Sequence, residues 1–188
     1  MNEPPASQQP SLVKRLRVAV VVLAALAVGL VVWAALAGDG DEEPDNGAAV
    51  EASVVSAAEL GQLAADAEGP VYWAGERPGA ELEYDEAGDR VFVRYLTGGA
   101  QAGDPRPVFL TIATYPLADP ADALRANARR TNTRLQRAPG GALVWVNPDR
   151  PQSVYLAEPG STHQVEVYDP VPRRALSVAL SGDVVAVG

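Results

Sequence analysis

Residues 18–37, VAVVVLAALAVGLVVWAALA, constrain this chain more than any other stretch. They contain no charged side chain. As an α-helix they would cover about 30 Å, the thickness of a bilayer's hydrocarbon core. Lipid offers no partner for open backbone groups, so a helix is the expected form. Eleven Leu and Val side chains favour insertion. Lys14, Arg15 and Arg17 precede the run, and Asp39, Asp41, Glu42, Glu43 and Asp45 follow it. The basic flank predicts an N-terminus in the cytoplasm and everything after residue 37 outside. Ala35-Leu36-Ala37 also fits the small-x-small pattern of a cleaved signal peptide. A signal core is typically about 7–15 residues, so the uncleaved anchor is preferred. Either way the bulk of the chain leaves the cytoplasm, and the expected location is the cytoplasmic membrane, single-pass.

The flanking segments read as unfolded. Residues 1–17 carry Pro4, Pro5, Gln8, Gln9 and Pro10 and cannot bury a core. Residues 38–50, GDGDEEPDNGAAV, form an acidic spacer that repels itself. As a calcium loop starting at Asp39 the spacer fails, because Pro44 stands where Gly is needed and Val50 where Glu is needed.

Residues 51–188 are long enough for one domain with its own core. Ser56-Ala57-Ala58-Glu59 is a capping-box pattern, and Leu60, Leu63, Ala64 and Ala67 follow on one helical face. Gly69-Pro70 stops that helix. Alternation over 80–96 predicts a hairpin turning at Ala87-Gly88, and 108–115 reads as a buried strand. Asp119-Pro120 and Asp169-Pro170 each predict a helix start, with Asp as cap and Pro in the first turn. Strands are expected near 133–138, 142–147, 152–157 and 163–168, separated by Pro- and Gly-rich turns. Gly182 should end the last helix, with a final strand over 184–187. The order predicts an α+β fold: an N-terminal transmembrane helix, then an antiparallel sheet packed with about three helices.

Chemistry is sparse. The chain has no Cys, one His and one Met among 188 residues. Disulfides, thiolate metal sites and multi-His centres are excluded. With a net charge of −9, and 23 acids against 12 arginines from Asp39 onward, no nucleic-acid partner is expected. His163 lies beside Ser161 and Thr162 but lacks a nucleophile motif and reads as a turn residue. Gly98, Gly99 and Gly103 lack the Lys-Ser/Thr of a phosphate loop. Glu81, Glu83, Asp85 and Glu86 could supply paired carboxylates, but strand alternation makes 81, 83 and 85 a solvated sheet face. No cofactor or metal is expected.

The remaining candidates are binding residues. Tyr72, Trp73, Tyr95, Trp145 and Tyr155 are aromatics on predicted strands, half of which should face outward. Arg125 and Arg129 are neighbours at helical spacing, in a basic set with Arg130, Arg134 and Arg137. That set reads first as an ordinary solvated helix face; as a contact surface it suits anionic headgroups, an acidic polymer or the chain's own acidic spacer.

Several strings carry a resemblance: PVYWAG at 70–75, VFVRYL at 91–96, TYP at 114–116, SVYLA at 153–157 and QVEVYDP at 164–170. Over about residues 69–188 the chain resembles a family of uncharacterised single-pass membrane-anchored proteins from high-GC actinobacteria. That resemblance implies an envelope location and a compact α+β ectodomain, and no activity. The element order is also similar to that of PsbP-like domains, at the level of fold. The expected function is therefore a membrane-anchored, extracytoplasmic, non-catalytic binding or accessory module. It would touch the bilayer through 18–37 and an envelope protein or polymer through its domain. An extracellular ligand or stress sensor and a carboxylate-dependent hydrolase are the alternatives.

Overall fold

A computed structural model describes residues 50–188. The expectations for the tail 1–17, the transmembrane helix 18–37 and the spacer up to residue 49 lie outside the described residues. Among the described residues no helix is long and apolar enough to cross a membrane.

The domain is α+β, with a mostly antiparallel sheet and three helices among the described residues. Strands β1 (Val50–Val55), β3 (Glu81–Ala87), β4 (Arg90–Leu96), β5 (Leu110–Pro116), β6 (Gln136–Arg137), β7 (Leu143–Val146), β8 (Ser153–Ala157) and β9 (His163–Tyr168) form one sheet. Its order is β1-β3-β4-β5-β9-β8-β7-β6. Two meanders thus meet at the central β5–β9 pair, where Ile112 lies opposite Val167 and Ala113 opposite Glu166. β2 (Tyr72–Trp73) and β10 (Val185–Ala186) pair separately as a two-stranded sheet.

Period-2 alternation sorts the large sheet into two faces. Leu82, Tyr84, Val93, Tyr95, Ile112, Val144, Val154, Leu156, Val165 and Val167 project into the main core. Helix α1 (Ala57–Asp66) contributes Leu60 to that core, and helix α3 (Pro172–Ser181) contributes Ala175, Val178 and Ala179. α1 starts where the sequence predicts. Ser56 Oγ accepts from Glu59 N at 3.2 Å, and the Glu59 carboxylate accepts from Ser56 N at 2.7 Å. These bonds satisfy two of the open donors at the helix start. α3 ends at Gly182, whose φ of +87° is the left-handed cap that glycine adopts without strain.

Helix α2 (Pro120–Arg130) lies on the opposite face and packs against β7 and β8. It buries Leu124, Asn127 and Ala128. All five residues of β8 are buried because helices cover both of its faces.

Several local expectations change. The segment 133–138 yields only Gln136–Arg137 as strand, because Thr131 and Asn132 still belong to the end of α2. Asp119 occupies the cap position of α2 but makes no side-chain cap bond. α3 begins at Pro172 rather than at Pro170; the Asp169 carboxylate instead accepts from Val171 N at 2.7 Å, and Arg174 pairs with it. Val171, just before α3, is exposed. β1 has no counterpart in the sequence reading.

Candidate functional site

Two carboxylates on the α2 side of the sheet are buried, not solvated. Glu83, expected on a wet face, is 0% exposed. The loop 97–109 folds over it. Glu83 Oε1 accepts from Arg94 Nη1 at 2.6 Å and Oε2 from Gly103 N at 2.7 Å. Arg94 also donates to Asp104 O and lies over the Phe109 ring. Both oxygens of Glu83 are therefore committed to holding the loop. Glu81 is exposed and Asp85 half-buried, so the three acids do not share one open cleft. Burial pushes the Asp85 carboxyl up, and the neighbouring Glu83 charge adds to that rise.

Glu166 is the second buried carboxylate, 2% exposed at the centre of the sheet. It accepts from Tyr115 OH at 2.9 Å and, at 3.5 Å, from Tyr155 OH. Burial pushes its carboxyl up, and the surrounding hydroxyls offset only part of that. Ser153 Oγ is wholly buried in the same region.

Four of the five aromatic candidates pack inward. Tyr72 and Tyr95 belong to the main core. Tyr72 OH donates to the Glu158 carboxylate at 2.8 Å, and Tyr95 OH accepts from Ala74 N at 2.6 Å. Burial pushes both phenols up to about 12. Trp145 and Tyr155 stack on each other under α2, ring centroids 5.7 Å apart. These four side chains are buried and so present no exposed aromatic surface in the described domain. Sequence alternation does not reveal that both faces of the sheet are covered. Trp73 is half-buried on the small sheet.

Arg125 and Arg129 are exposed, and they line a hollow of about 430 Å³ at the C-terminal end of α2, with Ala128, Asn132, Thr133 and Leu135. The hollow exists because α2 ends in a defined way. Thr133 N donates to Ala128 O at 2.9 Å and Asn132 N to Arg129 O at 3.3 Å. This double closure puts Asn132 in the left-handed conformation, φ +52°. Trp145 Nε1 donates to Thr133 Oγ1 at 2.8 Å and ties the closing turn to the sheet.

The sequence around this end is rich in arginine. Arg125, Arg129, Arg130, Arg134 and Arg137 occur between Ala123 and Pro148 without one acidic residue. Arg125 pairs with Asp122 at 2.5 Å, but both side chains are exposed, so the pair holds weakly. Among the described residues Arg129 and Arg134 make no salt bridge. Two predicted candidates, Arg125 and Arg129, are thus brought together. Asn132, Thr133 and Leu135 were missed; an Asn just past a helix is a known cap signal and could have found the first.

No family model, curated protein or solved structure matches the chain.

Proposed function

We propose that this chain is a single-pass membrane protein whose C-terminal domain is a non-catalytic binding module outside the cytoplasmic membrane. In this reading it contacts its partner through the arginine-bearing end of α2. One observation carries the binding surface. The buried acids and most of the aromatics are committed to internal contacts, whereas Arg125 and Arg129 stand exposed around a hollow. The apolar run 18–37 with its basic flank supports the anchor.

Two measurements test the reading. Cysteine labelling of intact cells, with single cysteines at residues 9 and 89 of this cysteine-free chain, reads topology. Residue 89 should react with an impermeant reagent, and residue 9 should not. Crosslinking of full-length protein in native membranes, followed by mass spectrometry, reads the partner. An adduct lost on reversing Arg125 and Arg129 to Glu supports the module. Labelling of residue 9 alone, or crosslinks indifferent to the reversal, would sink it.

A further inference from the structure

We infer that the hollow and the arginines around it bind an extended phosphate-bearing polyanion. The inference rests on the binding-module reading and specifies the partner of that site.

The charge distribution carries it. The chain is net acidic at −9, yet five arginines cluster between Ala123 and Pro148 with no intervening acid. Arg129 and Arg130 fall in the last turn of α2, where cations complement the helix dipole. That role does not account for Arg134, past the helix, or Arg137, on edge strand β6. All five are exposed. They are distributed over a helix, a connecting segment and a strand; of the five, Arg125 and Arg129 line the hollow, while Arg130 donates to Asn127 Oδ1 and Arg137 to Gly141 O.

The helix polarity selects against a small anion. The C-terminal end of α2 carries the partial negative charge of the helix dipole, even though the closing turn occupies its Asn127, Ala128 and Arg129 carbonyls. A single phosphate seated there would face that pole. A polymer lying across exposed guanidinium groups would draw on bidentate arginine–phosphate contacts without entering the carbonyl end. Ala128 and Leu135 in the hollow offer apolar contact, and the exposed Asn132 amide a hydrogen-bonding group, for the uncharged part of such a repeat.

The test uses full-length protein in neutral detergent, with three probes: long-chain polyphosphate, inorganic orthophosphate and phosphatidylglycerol vesicles. Polyphosphate should bind. Its log affinity should fall against log salt with a slope between about 1.4 and 3.5, for two to five charge contacts. Arg125→Gln with Arg129→Gln should lower that slope by about 1.4 and weaken binding about 25-fold at 0.1 M salt. Arg134→Gln with Arg137→Gln should also lower the slope, and Lys at 125 and 129 should restore most of it. Circular dichroism and the melting temperature report whether each variant still folds. Orthophosphate competing as well as polyphosphate, binding only to vesicles, or polyphosphate binding unchanged by both double variants would overturn the inference. If polyphosphate does not bind but a protein crosslinks in an arginine-dependent way, the polyanion falls and the binding module stands.

Discussion

Trp145 Nε1 donates to Thr133 Oγ1 across 2.8 Å, joining a core strand to the residue that closes helix α2. The indole is 4% exposed and stacked on Tyr155, so its N–H has little access to water. The bond therefore fixes the wall of the basic hollow from the core side. Thr133→Val removes the acceptor and keeps the shape. Its expected cost is about 1–3 kcal/mol, the penalty for a buried donor left unpaired. Urea denaturation followed by tryptophan fluorescence measures it.

Asn132 tests the same corner through the backbone. At φ +52° its short side chain is tolerated, and Gly should be neutral or slightly stabilising there. Asn132→Val should cost about 1–2 kcal/mol, because a branched side chain strains the left-handed region. Thermal melts of the two variants should therefore shift apart. Equal melting temperatures would show that the closure is not held in this conformation.

The Glu83–Arg94 pair gives a larger effect. Glu83 is fully buried and Arg94 is 17% exposed, with 2.6 Å between them. Arg94→Met leaves an uncompensated buried carboxylate and should cost about 3–5 kcal/mol. Adding Glu83→Leu should recover much of that, since no charge then remains buried. The double-mutant cycle reads the coupling directly. The loop 97–109 should lose amide-exchange protection in the single variant, because Gly103 N bonds to the same carboxylate.

Glu166 predicts a pH dependence. Its carboxyl is raised above the ordinary 4.5, first by burial. A group raised in the folded state contributes stability that is fully present below about pH 4.5. That contribution is lost as pH rises through the folded-state value. Lowering the pH from neutral toward 5 should therefore raise the melting temperature of the native chain relative to Glu166→Gln. The difference between the two proteins is the readout, because every other acid titrates in both. A constant difference across that range would contradict the raised carboxyl.

Legibility followed the range of each signal. The capping box at Ser56 and Glu59, the 80–96 hairpin and strand 163–168 were readable because their determinants are local. Gly88, at the first position of the two-residue turn between Ala87 and Arg90, has the positive φ that such hairpins favour. Glu83 and Glu166 were not readable as buried, since alternation only sorts residues into two faces. It does not say that loop 97–109 and helix α2 cover the second one. The same blindness placed Tyr155 and Trp145 on a surface. β1 was missed because its partner, β3, lies across α1 in sequence and its pairing shifts register between Val50 and Ser53. The arginine end was half legible: periodicity joined Arg125 to Arg129. Only the tertiary fold adds Thr133 and Leu135 to them, through the Schellman-type closure at Asn132.

The most direct test of the binding module is site-specific photocrosslinking in native membranes. A photoreactive residue replaces Asn132 beside the hollow, or Asp89 in the β3–β4 turn as a control, in the full-length chain. The account predicts an adduct from position 132 that disappears when Arg125 and Arg129 are reversed to Glu, and none from position 89. No adduct from 132, or equal adducts from both positions, would contradict it.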